Sequence, residues 1–526
     1  MTKYLLSRLV RGLFSVVIVV IIVMLLIYTC LDRKQIFAQD PVWSHKKLND
    51  KVVYELQQFE KYGYIDYVPY ADFMQEKLKA GEITNADYKK AVTIARNASA
   101  DSAISAQYIA EFTSYYQAQG YTVQRLNGNL MPGTTAKYKD GGRPALYAYK
   151  DISVFKRVFK YFGNLIEVDN IHYAEDEIED RGLSFTLRDP VYGGEKFSPA
   201  IMGNGTKHKY LLYFDSRFPY IHQNLVSVNL GASYSIKKDV DVFEIMTTPQ
   251  GAQEHSVITY PTGLREKSAD DLHSATYISG SIDTTSNIIL DRYVDNYTNV
   301  SLRTNGLSKM GYSFVIGFIS VILSYLLAIP LGTLMARKKD KLVDKLGTFY
   351  IIFIIAVPSL AYIFLFRAIG RAAGLPDVFT TQNSSWLMYI LPIVSLALPS
   401  VAGLMKWLRR YMIDQMNSDY VKFARASGLS ESEIFSRHIF KNAVIPIVHG
   451  IPGSVLGSLI GAIITESVYV VPGAGNLLTK SIAAYDNGVI VGLTLFYALL
   501  SVVSIILGDI LMSMVDPRIS FSSKGR

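Results

Sequence analysis

Cysteine is nearly absent from this chain: Cys30 is the single one in 526 residues. That excludes an internal disulfide framework, a cysteine zinc site and an iron–sulfur cluster held within one chain. Nucleotide-binding loops are missing as well. No Gly-Lys dipeptide occurs, so there is no Gly-x4-Gly-Lys-[Ser/Thr] phosphate loop and the chain is not an ATPase of that kind. None of the eight histidines is followed by Glu, which removes the His-Glu-x-x-His zinc helix, and no Gly-x-Ser-x-Gly nucleophile elbow occurs. The acidic run Glu175-Asp-Glu-Ile-Glu-Asp180 lacks the alternating oxygen ligands and glycine of a calcium loop and reads as a solvated acidic turn. Charge is scarce too: 19% of residues are charged against 50% hydrophobic, with mean hydropathy +0.19. That hydropathy is high for a soluble protein and low for a chain made only of membrane spans, so two kinds of segment are combined.

The charges locate the seam. Residues 31–305 hold 31 basic and 34 acidic side chains, whereas the remainder holds 22 basic and 11 acidic. The basic excess therefore flanks apolar runs and does not share a soluble face, which argues against nucleic acid as a partner. Crossing the hydrocarbon takes about 20 apolar residues as a helix. Six runs qualify: Gly12–Leu31, Met310–Ala336, Leu346–Phe366, the apolar part of Val378–Met405 from about Trp386, Asn442–Thr465, and Asn487 through Gly508 and past Asp509 to Val515. Six such runs are too many for apolar helices hidden in a soluble core.

Basic residues alternate between the segments that join these runs. Eighteen lie on one side, among them Lys3, Arg8, Arg11, Arg337–Lys345, Lys406–Lys441 and Arg518; four, Lys309, Arg367, Arg371 and Lys480, lie on the other. The positive-inside rule then puts both termini in the cytoplasm and residues 32–305 outside a plasma membrane. The first run is longer than a signal-peptide core and no small-x-small cleavage site precedes Cys30, so it reads as an uncleaved anchor. The expected fold is a polytopic α-helical membrane protein with six transmembrane helices and a large α+β extracellular domain inserted between the first two. Its parts are residues 1–31, the N-terminus and first span; 32–305, the external domain; 306–515, the membrane core; and 516–526, a cytoplasmic tail. Within the external domain, Pro41–Ala118 reads as several helices, with Thr84 or Asn85 capping one of them. From Gly141 to Thr262, aromatic and β-branched residues gather between turn residues, as in Lys209-Tyr-Leu-Leu-Tyr-Phe, and predict strands.

The longest inner loop, Lys406–Lys441, reads as two short helices. Ser418 or Asp419 caps the first, Tyr420–Ala426, and Gly428 stops it. Ser430-Glu-Ser-Glu433 is a capping box for a second, running to Pro446. A short helix ending in small residues fits a groove on another protein; a plain solvated connector is the alternative from periodicity alone. Glu466 and Asp509 are carboxylates in apolar sequence, open to a substrate or proton role or, near span ends, to pairing and capping. Pro330, Pro358, Pro392 and Pro399 can kink spans that line a passage.

The residues of this loop resemble a known family. Asp419-Tyr-Val-Lys-Phe-Ala-Arg-Ala-Ser-Gly-Leu-Ser, followed by Arg437-His-Ile-Phe-Lys-Asn-Ala-Val-Ile-Pro446, is similar to the "EAA" loop of binding-protein-dependent ABC importers, in the Ala-Arg-Ala-x-Gly form of the oligopeptide/dipeptide branch. Thr465-Glu-Ser-Val-Tyr-Val-Val-Pro-Gly-Ala-Gly-Asn-Leu resembles that branch's Glu-x5-Pro-Gly-x-Gly element, and Gly508-Asp-Ile-Leu-Met-Ser-Met-Val-Asp-Pro-Arg-Ile519 its terminal Asp-Pro-Arg signature. The outer segment exceeds that of a typical member by some 200 residues. Gly205-Thr-Lys-His-Lys-Tyr-Leu-Leu-Tyr-Phe and Phe218-Pro-Tyr-Ile-His-Gln-Asn are similar to the large insertion of the streptococcal Ami-type members.

The resemblance implies a type I ABC importer permease fold and a non-enzymatic subunit for oligopeptide import in a Gram-positive plasma membrane. It implies a coupling helix that contacts an ATPase through Asp419, Tyr420, Val421, Ala424, Arg425, Ala426 and Gly428, with Ala424, Ala426 and Gly428 as close-packing positions. Ser427 stands where many relatives have Lys. It makes Glu466, Pro472, Gly473, Gly475, Asp509, Asp516, Pro517 and Arg518 motif residues for gating or structure. No cofactor or metal is expected in this chain; ATP and Mg belong to two partner ATPases. A second homologous permease subunit, a lipid-anchored extracellular peptide-binding protein, the peptide and membrane lipids complete the expected partners. Dipeptide or nickel import is the near alternative, and a membrane receptor with an external ligand domain the distant one.

Overall fold

The computed structural model describes residues 2–94, 103–126, 145–175, 178–214, 221–255, 257–259, 265–267, 273, 275–277, 293–294, 302–382 and 385–515. Within them, five helices are long and apolar enough to cross a membrane: Tyr4–Cys30, Lys309–Arg337, Trp386–Met416, Ile451–Tyr469 and Asn487–Val515. A sixth candidate is bent. The expected continuous run Leu346–Phe366 is two helices, Leu342–Ala356 and Ser359–Ala372, meeting at 111°. Pro358 explains the break: it cannot donate to the ladder, and it holds Val357 in an extended conformation (ψ 129°). The run Asn442–Thr465 is also divided, into Lys441–His449 and Ile451–Tyr469, with Gly450 between them and Pro452 in the first turn of the second. Pro330 and Pro399 sit inside unbroken helices.

The Lys309–Arg337 and Ile390–Met416 helices form the centre of the membrane part. They approach closely because Gly332 presents no side chain; a Cβ there would lie 3.3 Å from the Met405 backbone. Tyr312, Ile316, Ala328, Val401 and Met405 fill this core. Opposite faces expose Phe314, Leu326, Phe349 and Ile352, the apolar surface that lipid covers. The N-terminal helix, Thr2–Cys30, lies along the C-terminal helix, Asn487–Val515, and shares a core with it through Val16, Val20, Leu493 and Leu495.

The described parts of the external segment are α+β. A three-stranded antiparallel sheet has Ala145–Asp151 in its centre, flanked by Ile65–Pro69 and Thr122–Leu126. Tyr70, Phe73, Phe112 and Tyr116 pack beneath it, so much of the aromatic content is core. A four-stranded meander follows, Gly182–Thr186, Ala200–Asn204, Tyr210–Phe214 and Ile221–Gln223 in sequence order. The expected helix start is at Thr84, whose Oγ1 accepts from the Asp87 N–H at 3.2 Å ahead of the helix Asn85–Ile94. Of the acidic run Glu175–Asp180, residues 176 and 177 lie outside the described residues.

Candidate functional site

The inner loop folds as a helix, Asp419–Ala426, with Ser418 at its N-cap position and Gly428 at φ +82° just past its end. That positive φ is the stop a glycine permits cheaply. Ser430 and Glu433 form the capping box of the second stretch. This stretch does not end at Pro446. It opens as Glu431–Glu433, passes through a π-helical segment Ile434–Phe440, and continues through the proline to His449. The wider π spacing turns Ile434 and Ile439 inward.

Two of the expected contact residues are therefore not on the surface. Val421 and Ala424 are buried with Ala336, Met412, Ile434 and Ala443 at the inner end of the bundle. They root the helix in its own chain. The outward face carries Asp419, Tyr420, Lys422, Phe423, Arg425, Ala426, Ser427 and Gly428. Phe423 is 75% exposed, a large apolar ring on the face opposite the buried Val421 and Ala424. Its signal in the sequence is position, two residues after Val421 and one before Ala424, which at helical spacing turns it away from those two buried side chains. Arg425 clamps Glu431 with two bonds, 2.6 and 3.1 Å, and Lys422 meets Asp419 at 2.8 Å. The Arg425 guanidinium holds the Glu431 carboxyl below its ordinary 4.5. A lowered value means the clamp is present above the ordinary carboxylate range and dissolves only as pH falls through the lowered value, so neutral pH leaves the loop unchanged.

At the other end of the membrane part, Glu466 is fully buried near the end of the Ile451–Tyr469 helix. Its carboxylate accepts from the Ser313 hydroxyl of the Lys309–Arg337 helix and from the Asn476 N–H at 2.9 Å. Ser313 Oγ in turn accepts from the Ala474 N–H at 2.8 Å. The chain between turns sharply, with Val470 left-handed at φ 59° and Pro472 before the helix Ala474–Ala483. Gly473 and Gly475 are glycine for space: a Cβ on Gly473 would overlap the Glu466 carboxylate, and one on Gly475 would meet Ile463 and Glu466 at 2.8–3.0 Å. The arrangement ties two spans to a short helix, with the anion at that helix's N-terminus. Gly473→Ala should lower the thermal midpoint of the purified protein by the equivalent of about 1–3 kcal/mol, because the backbone at φ −90° accepts Ala and only the overlap changes. Gly453→Ala, which meets nothing within 4 Å, should not; equal midpoints for the two would sink the overlap argument.

Asp509 pairs with Arg8 of the N-terminal helix at 3.1 Å and accepts from Tyr4 Oη at 3.2 Å. Asp516, Pro517 and Arg518 lie outside the described residues. A third carboxylate was missed in the sequence. Asp486, fully buried just before the C-terminal helix, accepts from the N–H groups of Tyr234, Ser235 and Ile236 at 2.9–3.0 Å and from the Ser233 hydroxyl at 2.6 Å. Beside it, Gly488 and Gly492 let the Leu230–Ala232 backbone lie against the helix, where a Cβ on Gly492 would stand 2.8 Å from Leu230 O. Asp486 thus fastens the external segment to the membrane part. Among the described residues, no group of three or more His, Cys, Asp and Glu could hold a metal ion.

Two hollows adjoin these ties. An apolar one of about 390 Å³ lies between the Lys309–Arg337, Ile451–Tyr469 and C-terminal helices, lined by Met310, Ser313, Val455, Leu459, Tyr497 and Ser504. A second, of mixed lining and about 800 Å³, lies above it at the outer end of the bundle, bordered by Ile236, Ile245, Gln250, Gln253, Lys309 and Gln382.

Comparison with known proteins supplies the context. Residues 328–521 match the family model described as binding-protein-dependent transport system inner membrane component. The oligopeptide transport system permease protein AmiC of Streptococcus pneumoniae is 36% identical over 531 residues, covering 100% of this chain and 100% of its own. The dipeptide transport system permease protein DppB of Lactococcus lactis is 32% identical over 227 residues, 42% of this chain and 73% of that protein. The oligopeptide transport system permease protein AppB of Bacillus subtilis is 30% identical over 225 residues, 41% and 71% respectively. The AmiC alignment spans the external segment as well as the membrane part.

Proposed function

The chain belongs to the binding-protein-dependent ABC importer permeases of the oligopeptide/dipeptide branch, related to the AmiC-type permease, and from that premise we propose that it carries oligopeptides inward as half of an ATP-driven pathway. A second, homologous permease subunit supplies the other half. Two ATPases dock from the cytoplasm, and an extracellular lipid-anchored binding protein delivers the peptide. In this reading the bent pair Leu342–Ala372 counts as one span, giving six, with residues 32–305 inserted between the first two and 306–515 forming the transport core.

The observation that carries the reading is the docking helix. Its inner face is locked into the bundle by Val421 and Ala424 while Tyr420 and Phe423 stand exposed on the other side. Such a helix transmits force: a partner that grips Phe423 moves the buried seam, and with it the spans on either side. Coupling needs a contact that differs between two states, and a rigid helix rooted between two spans supplies it. Arg425 and Glu431 stiffen the turn behind it. The Glu466–Ser313 tie closes the outer end of the same helices and serves gating or structure, with no proton step. The mixed-lined hollow near Lys309 is the mouth through which the peptide enters, and the apolar hollow beneath it borders the pathway. The external segment, fastened by Asp486, receives the binding protein.

Uptake of labelled peptides by cells with and without this chain tests the substrate class. Loss of uptake of peptides of several residues, with dipeptide and nickel uptake unchanged, is the expected result. Loss confined to dipeptides or nickel would assign it to another member of the branch.

A further inference from the structure

One buried cation outside these sites lacks a counter-charge. The short helix Val154–Gly163 packs Val158 into the same cluster as Val20, Met24 and Ile27 of the N-terminal helix. It therefore lies at the depth of that helix's last turns, where Tyr28 precedes its end at Cys30 by two residues, about 3 Å of rise. Arg157 of this short helix is only 8% exposed. Its guanidinium sits 3.5 Å from the centre of the Tyr28 ring and 3.7 Å from that of Tyr64. Nη2 is buried without a hydrogen-bond partner, and among the described residues no carboxylate pairs with Arg157.

Ring faces stabilise a cation but do not accept its in-plane N–H groups, so Nη2 remains unsatisfied. Arg157 is among the residues that line a cavity of about 220 Å³, together with Tyr28, Tyr62, Lys160 and Asn164, with Met24 and Val491 on the membrane side. Lys61 at the rim is neutralised by Asp239 at 2.7 Å. Lys160 is exposed and, among the described residues, has no carboxylate partner. Arg157 and Lys160 thus line one small cavity with no carboxylate paired to either among the described residues, and a tetrahedral anion with several acceptor oxygens fits a guanidinium fork.

The depth selects the anion. At the outer ends of spans the abundant anionic group is the phospholipid phosphate, and amphipathic tyrosines gather at that level. The short helix has the composition of an interfacial helix: Phe155 and Phe159, one turn apart, are 68% and 77% exposed on the face away from Arg157, with Lys156 and Lys160 flanking them. We propose that the cavity between the N-terminal helix, the Val154–Gly163 helix and the start of the C-terminal helix binds the phosphate of an outer-leaflet phospholipid, held by Arg157 and Lys160. The lipid then joins the external segment to the two spans on which it sits.

The test uses the full chain, stripped of lipid in detergent and re-exposed to phosphatidylglycerol or to diacylglycerol with the same acyl chains, with retained lipid counted by native mass spectrometry. Phosphatidylglycerol should be retained about tenfold or more over diacylglycerol, a preference that Arg157→Gln abolishes and Lys160→Glu weakens severalfold. Lys160 is exposed, so its replacement leaves the packing intact and keeps the test decisive even where Arg157→Gln fails to fold. Equal retention of the two lipids, or a preference unchanged in the Lys160 variant, overturns the proposal. Displacement of the lipid by millimolar inorganic phosphate would reassign the site to free phosphate, and displacement by a peptide with a free carboxylate would reassign it to the transported substrate; either overturns the lipid site.

Discussion

Asp486→Ala releases the external segment from the C-terminal helix. The substitution leaves three N–H groups, of Tyr234, Ser235 and Ile236, and the Ser233 hydroxyl without their acceptor in a buried place. Bare buried polar groups cost about 1–3 kcal/mol each, and with partial relaxation the total is on the order of 3–5 kcal/mol. The loss is local, because the membrane helices pack through other residues. Hydrogen exchange at residues 234–236 should accelerate roughly 100-fold or more, while the buried seam of the Lys309–Arg337 helix stays protected. Asp486→Asn, which keeps one acceptor oxygen, should fall between. Unchanged exchange at those three amides in the Ala variant would mean that Gly488, Gly492 and the surrounding packing hold the segment without the carboxylate.

Phe423→Ala strips the exposed ring from the docking helix and leaves Val421 and Ala424 in place. An aromatic anchor seated in a partner's pocket contributes about 2 kcal/mol or more, so affinity for the ATPase pair should fall roughly 30-fold. Thermal stability of the isolated chain should hardly move, since the ring is 75% exposed. Ala424→Leu gives the opposite signature. It overfills the seam with Met412 and Ile434, lowering the chain's own stability by about 1–3 kcal/mol. Full ATPase binding by the Phe423 variant would remove this helix from the coupling path.

The two variants also mark what the sequence made legible. Capping residues and a glycine stop marked the helix Asp419–Ala426, and the apolar runs overlapped every long membrane helix, although the ends differ by up to about ten residues where a charged or polar turn extends a helix or a glycine divides it. Which face of the helix points outward depends on the π-helical stretch Ile434–Phe440 and on Met412 from a neighbouring helix, contacts no local pattern contains. The bend at Pro358 was foreshadowed by the proline, yet hydropathy alone runs smoothly through it. Glu466 drew notice because a carboxylate in apolar sequence is conspicuous. Asp486 did not, because an Asp before a span reads as an ordinary polar boundary. Its partners lie some 250 residues earlier in the chain, so only the fold reveals what it holds. Arg157 was hidden for a similar reason: one basic residue among 31 in the external segment carries no mark of burial.

The central claim is that this chain passes oligopeptides across the membrane when partner ATPases work on the helix Asp419–Ala426. Its most direct test is accumulation of a labelled oligopeptide in proteoliposomes holding the assembled complex, with the binding protein outside and ATP supplied to the ATPases. Accumulation that requires both ATP and the binding protein, and that falls at least tenfold with Phe423→Ala while each ATPase still binds nucleotide, is the predicted result. Accumulation that proceeds without ATP, or that the Phe423 variant leaves unchanged, would contradict it.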